Sequence, residues 1–210
     1  EEMGASLIRS AYSTNIKERR DCSTALFNAA GEVVAQAEHM PMHLGALLGI
    51  VAETERRFGP TLKPGDVIVS NDPYTGGSTH LPDITLCQPV FVDGVLAGYI
   101  TNTAHHAPVY RTAPPTIYEE GPRIPPIRLY DGGQLREDVL ELILLNYQIP
   151  EQRLGDLRAQ LAANATGERR FQELFKRYGR STLDTAMTEL LAYGERKIRA
   201  AIRAIPDGTY

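Results

Sequence analysis

The stretch ITLCQPVFVDGVLAGYITNT, Ile84 to Thr103, decides the fold. Its two arms, Ile84 to Val92 and Val95 to Thr103, are rich in β-branched and aromatic residues. Asp93-Gly94 separates them. An Asp-Gly pair suits a two-residue hairpin turn, because both central positions need a positive φ. The stretch therefore reads as two strands joined by a tight turn. Chemistry sits at both of its ends. The run Asn71-Asp72-Pro73-Tyr74-Thr75-Gly76-Gly77-Ser78-Thr79-His80-Leu81-Pro82-Asp83 leads in, and His105-His106 leads out. His80 and Asp83 are three apart, and His105 arrives from the next strand. Two imidazoles and a carboxylate on adjacent elements can form a facial set with open positions on a divalent metal. Open positions are what a catalytic metal needs and a structural metal lacks.

Outward from the hairpin the pattern alternates between β and α. Residues 2–14 read as a helix with Met3, Leu7, Ile8 and Tyr12 on one face. A second hairpin follows Asp21, with strands near 24–27 and 32–37 around the turn at 28–31. Residues 44–57 read as an amphipathic helix that ends near Gly59-Pro60, with Arg56 and Arg57 in its last turn. Lys63-Pro64-Gly65-Asp66 is a turn, Val67 to Ser70 a short buried strand, and the glycine-rich run a loop. Residues 107–134 hold Pro108, Pro114, Pro115, Pro122, Pro125 and Pro126, which exclude a regular helix or a central strand and point to an ordered functional loop. Helices are expected at about 136–146, 151–178 and 182–204. The class is α+β: a mixed β region with hairpins over about 15–106, a proline-rich loop over 107–134, and a helical region over 135–205.

Composition narrows the function. The 210 residues have a net charge of −4 and no basic block, which argues against nucleic acid or an anionic membrane as partner. No apolar run is long enough to span a bilayer. The two cysteines, Cys22 and Cys87, lack CxxC spacing and read as reduced thiols in a cytoplasmic protein. Both ends of the chain read as cut, so a piece of a longer protein is expected.

Several residues keep two readings. Asp72-Pro73-Tyr74 with Gly76-Gly77 is either a tight turn or a wall of a substrate pocket with Asp72 or Tyr74 as polar anchor. It is neither a Walker loop nor a dinucleotide fingerprint. His39 and His43 have helical spacing, but Pro41 between them argues against a helix, so packing or support of a site is preferred to ligation. Asp21, after Arg19 and Arg20, is either a surface ion pair or turn cap, or a buried carboxylate that ligates or supports a site.

Taken together, these stretches resemble the hydantoinase B/oxoprolinase family. The resemblance rests on Ile16 to Ser23, Ala35 to His39, His43-Leu44-Gly45, residues 71–83, Ala104-His105-His106-Ala107, Glu120-Gly121 to Pro126, and Gly155-Asp156-Leu157-Arg158-Ala159-Gln160. It implies a subunit that carries the second half-reaction of an ATP-dependent enzyme. A hydantoinase A-type partner would use ATP and Mg to phosphorylate the substrate, in a hetero-oligomer. It implies a divalent metal (Zn, Mn or Fe) on His80, Asp83 and His105, with Asp21 as a weaker fourth ligand. His106 is implied as an acid/base or supporting group beside the metal. Asp72 is taken with it as a catalytic candidate, and Tyr74, Gly76 and Gly77 as substrate contacts. The metal would polarise a carbonyl or lower the pKa of a bound water. The implied reaction is opening of a hydantoin or 5-oxoproline-like lactam. A carboxylase of the acetone/acetophenone type, acting on a ketone-derived substrate, is the alternative, and a non-catalytic structural relative is the third reading. One departure stands out: Pro108 occupies a position where the family pattern has an acid.

Overall fold

In the computed structural model, residues 1–37, 39–107 and 115–208 are described. The hairpin is its centre. β4 (Asp83–Val92) and β5 (Val95–His105) pair antiparallel from Val92↔Val95 to Asp83↔His105. Asp93 and Gly94 have φ of 53° and 76°, the conformation that an Asp-Gly turn supplies. β1 (Cys22–Asn28) adds to the far side of β5 and β2 (Val33–Ala37) to β1; β3 (Val67–Ser70) adds to β4. Beyond β3 lie β6 (Ile127–Asp131) and β7 (Gln134–Leu135), giving the order β2-β1-β5-β4-β3-β6-β7, antiparallel throughout. Pro89, paired with Tyr99 of β5, lies beyond the Thr85–Cys87 stretch that β3 pairs, so on the β3 side no strand asks for its missing N–H.

The helices divide between the faces of this sheet. α3 (Pro41–Phe58) covers one face, where Leu47, Ile50 and Val51 pack with Ala25, Phe27, Ile68, Cys87 and Tyr99. On the other face, Val67, Val69, Ile84 and Leu86 pack with Ile143, Tyr147 and Leu157 of the α5 (Glu137–Leu145) and α6 (Pro150–Tyr178) region. Cys22 and Ala104 on that same face meet Ala159 and Ala163 of α6, and Leu7 and Ile16 of α1 (Glu2–Ser10) and α2 (Thr14–Lys17). Successive strand residues point to opposite faces, so each strand divides its side chains between α3 and α6.

The chain separates into two units, Glu1–Arg170 and Phe171–Tyr210. The second holds the end of α6 and α7 (Arg180–Arg203); within it the Phe171 and Phe175 rings meet edge to face at 5.0 Å.

The α+β reading is correct, and so is the helical C-terminal part. Three local expectations change. The helix expected over 2–14 breaks after Ser10, because the Tyr12 and Ser13 N–H groups donate to Asp156 Oδ1 at 2.8 and 3.0 Å instead of to the chain four residues back. The helix expected from 44 begins at Pro41. Proline fits there because the first helical turn has no use for its missing N–H. The proline-rich stretch is not loop throughout: it contains α4 (Ile117–Glu120) and, once Pro126 is past, strand β6. Pro108 and Pro114 lie outside the described residues. Both cysteines are buried free thiols, and burial pushes each up to about 12. No described helix is long and apolar enough to cross a membrane.

Candidate metal centre

The site forms as a row across the sheet. Asp83 is the first residue of β4 and lies opposite His105, the last of β5. On the other side of His105 the backbone of Asp21, just ahead of β1, accepts its N–H at 2.9 Å. The alternation of strands sends the Asp83, His105 and Asp21 side chains to the α3 face. His80 joins through a one-turn backbone bond, Asp83 N–H to His80 O at 3.1 Å.

Ligand atoms of His80, Asp83 and His105 all lie within 4.8 Å of one another. His80 Nε2 and His105 Nδ1 are 3.2 and 3.3 Å from Asp83 Oδ1 and 3.0 Å from each other. Asp21 Oδ2 is 3.8 Å from His105 Nδ1. The Asp83 carboxylate is buried, while His80 keeps 38% of its side-chain surface exposed. The site therefore has a closed floor and an open wall.

His43, the third residue of α3, completes the floor. Its Nε2 lies 3.4 Å from Asp83 Oδ2 and 3.6 Å from Asp21 Oδ1, bridging the two carboxylates. The start of α3 is held against β1: Met40 O accepts from Ser23 Oγ at 3.1 Å. Pro41, expected to argue against a helix here, is instead the first residue of α3, and the helix is what carries His43 to this position. Glu120 was not foreseen as a site residue. It comes from α4 with Oε1 3.5 Å from His80 Nδ1, on the side of the ring away from Asp83. Nothing local in the sequence predicts that approach, which depends on how α4 folds back.

The electrostatics suit a cation. Burial works to raise the Asp83 carboxyl, but His105, His43 and His80 outweigh it and hold the group far below the usual carboxylate range. Asp83, with Glu120 and Asp21 beyond it, pulls His80 upward against its own burial. Asp83 Oδ1 is buried without a hydrogen bond, although both its imidazole neighbours are at ion-pair distance. Two ring nitrogens facing each other beside an unbonded carboxylate oxygen are a donor set that a divalent ion fits. The donors are N and O, with no thiolate: Cys22 points to the α6 face.

The other sequence candidates lie apart from this cluster. His106, one residue beyond His105, turns to the α6 face, where it is fully buried with Nε2 2.9 Å from Gln160 Oε1. Burial drives its pKa down to about 3, and the Arg153 cation pushes the same way. Asp72 is saturated with donors: Arg123 Nη2 at 3.0 and 3.1 Å, Thr75 Oγ1 at 2.7 Å and the Tyr74 N–H at 3.1 Å. Tyr74 is exposed beneath the Arg123 guanidinium. Gly76 and Gly77 are required by packing: a Cβ on Gly77 would come within 2.5 Å of Ala46 O, and one on Gly76 would strike Ser70 Oγ.

Comparison with known proteins gives the family. The profile of Hydantoinase B/oxoprolinase matches residues 1–210. The caprolactamase subunit beta of Pseudomonas jessenii is 38% identical over all of this chain and 37% of its own length. The 5-oxoprolinase 1 of Arabidopsis thaliana is 37% identical over 99% of this chain and 18% of its own. The crystal structure of the ATP-dependent caprolactamase from Pseudomonas jessenii superposes with a TM-score of 0.90 at 36% identity, covering 99% of this chain and 37% of that one. The nucleotide-free structure of acetone carboxylase shares the fold, with a TM-score of 0.86 at 20% identity, over 98% of this chain and 28% of that one. The chain thus spans less than two-fifths of the length of these relatives. With its sequence matched end to end and its fold superposed at this level, the chain belongs to the hydantoinase B/oxoprolinase family.

Proposed function

We propose that this chain carries the metal-dependent part of an ATP-dependent enzyme that opens a cyclic amide of the hydantoin or 5-oxoproline kind. The observation that carries the proposal is the convergence of His80, Asp83 and His105 on one point, with Asp21 alongside. The names of the relatives supply the chemistry: a caprolactamase and a 5-oxoprolinase both act on lactams.

In this reading His80, Asp83, His105 and Asp21 hold a divalent ion such as Zn, Mn or Fe. When bound, the ion supplies Lewis-acid polarisation of a carbonyl oxygen, which amide resonance otherwise makes a poor electrophile. His43 holds Asp21 and Asp83 at a fixed separation from beneath. Glu120 would accept a hydrogen bond from His80 Nδ1–H and so leave Nε2 as the nitrogen able to hold the ion, as outer carboxylates do for metal-bound imidazoles. The exposed side of His80 is where substrate enters. ATP and Mg belong to an A-type partner, with which the chain forms a hetero-oligomer. The Asp72–Arg123 pair fixes the loop of residues 71–79 that frames the entry. Tyr74 and Thr79 are the members of that loop exposed enough to touch a substrate, whereas Gly76 and Gly77 shape the wall. His106 is sealed from the entry and acts through the backbone of its neighbour rather than as an acid or base.

Ring opening is preferred to carboxylation because the carboxylase likeness is one of fold alone. The test is elemental analysis of the full-length protein with its partner, followed by assays of hydantoin, 5-oxoproline and caprolactam with ATP. Near-stoichiometric metal and ATP-dependent ring opening is the expected result. Turnover of a ketone that requires bicarbonate would shift the assignment to a carboxylase. Metal-free protein would point to a structural role.

A further inference from the structure

α6 carries a polar stripe on the face that should be apolar. Arg153, Asp156, Gln160 and Asn164 recur at helical spacing, and all four are buried against the sheet. Apolar clusters flank them on both sides. Burying charged and amide groups stabilises a fold less than well-packed apolar side chains of similar size. The stripe therefore needs a reason other than stability.

Its contacts supply one, because they converge on the two strand ends that bear the metal centre. Gln160 Nε2 donates to Ile84 O and to Asn102 Oδ1, both at 2.8 Å, while its Oε1 pairs with His106 Nε2 at 2.9 Å. Ile84 follows Asp83, and Asn102 and His106 bracket His105. One side chain thus grips β4 and β5 at their site ends from the opposite face. Asn102 is fixed further by donating to Gln160 O at 2.9 Å and Asn164 Oδ1 at 2.7 Å. Arg153 Nη2 donates to Ala107 O at 3.2 Å, holding the chain as it leaves the histidine pair. Asp156 accepts from the Tyr12 and Ser13 N–H groups, tying down the segment that leads to Asp21.

We infer that the Arg153–Asp156–Gln160 stripe of α6 positions the metal centre through the sheet, with Gln160 as its principal positioning residue. The inference rests on the metal reading above. It makes the distances among Asp83, His105 and Asp21 depend on hydrogen bonds made by none of their own side chains. A metal site with an open wall needs that support, because its ligands cannot rely on a closed shell to hold them.

The test is Co2+ binding to the full-length protein, read as Kd and as the visible spectrum of the bound ion. Gln160→Leu is expected to stay folded, to weaken Co2+ by about 10–100-fold, the range typical of lost outer support, and to shift the spectrum. Gln88→Leu, a buried amide lower on the same face, is the control and should leave both readouts unchanged. If Gln160→Leu does not fold, Arg153→Met carries the test, with the same direction expected. Folded variants whose Kd and spectrum stay within about twofold of wild type, well inside that range, overturn the inference. So does equal weakening by Gln88→Leu, which would mark a general loss of stability. Wild-type protein that binds no Co2+ would instead remove the metal reading on which the inference stands.

Discussion

His105 and His106 are neighbours in the chain and lie on opposite faces of the sheet. On the α3 face His105 meets Asp83 and Asp21 beside a partly exposed His80, where imidazoles and carboxylates gather around a partly open point. On the α6 face His106 is enclosed by Gln160, Arg153 and Asp156, where burial keeps the imidazole neutral. The same residue type is thus a candidate ligand on one side and a structural fastener on the other. The difference comes from what packs over each face, since strand alternation alone only guarantees that the two point apart.

The sharpest way to break this comparison is at Asp83. Asp83→Ala removes the anion that three imidazoles surround, and metal content by elemental analysis should fall to background. Retained metal would show that Asp83 is not the hub of the α3 face. Activity of the assembled enzyme should vanish with it, as it should in His80→Ala, while assembly by size-exclusion chromatography is spared.

The histidine pair gives the next largest contrast. His105→Ala should lose metal with a small change in melting temperature. His106→Ala should keep the metal stoichiometry, at weaker affinity, and lose about 2–4 kcal/mol of unfolding free energy from the cavity and the unpartnered Gln160. Denaturant unfolding and metal analysis on both variants would decide. The opposite pattern would mean that the faces have been assigned the wrong way round.

The two faces should also respond to pH with opposite sign. His106 falls to about 3 in the folded chain, below its ordinary value of 6.5. Its contribution is complete above pH 6.5 and drains away as the pH falls towards 3. His80 is raised instead, so in metal-free protein its contribution is complete below 6.5 and is lost as pH rises through its folded pKa. Metal competes with that proton, so affinity should fall with falling pH from above 6.5. NMR titration of the imidazole C–H signals checks both signs; a His106 that titrates near 6.5 would contradict its enclosure.

The smallest effect is expected from Glu120→Gln. It keeps a hydrogen-bond acceptor near His80 Nδ1 and removes the charge. Metal affinity should drop by no more than about 10-fold, the low end for outer-shell changes, and the His80 pKa should move back towards 6.5. No change in either would leave Glu120 as a surface acid beside the site.

Much of this arrangement can be read in the chain because it is local. Asp93-Gly94 specifies the hairpin by backbone sterics, and the hairpin by itself sets Asp83 opposite His105. His80 is three residues from Asp83, so a single turn brings it in. The first helix of the C-terminal part and the two long helices after it follow from periodicity and from the glycine at 179. His43 and Glu120 are different. Each reaches the site only because a helix packs across residues distant in sequence, and Pro41, read as a breaker, is in place the first residue of that helix. The same limit hides the role of Gln160, whose spacing with Arg153, Asp156 and Asn164 is visible but whose partners are not.

The residues themselves determined the strand pairing at the centre, the antiparallel neighbourhood of His80, Asp83 and His105, and the N/O character of the donor set. Turn sterics and the two-residue repeat of a strand act over a few residues, so they leave a mark in sequence. Tertiary structure alone decided which face of the sheet is left partly open, that Glu120 of α4 stands behind His80, and why α6 keeps amides where leucines would pack. Those outcomes depend on which surface covers which face, a choice made by burial summed over the whole sheet and carried by no single segment.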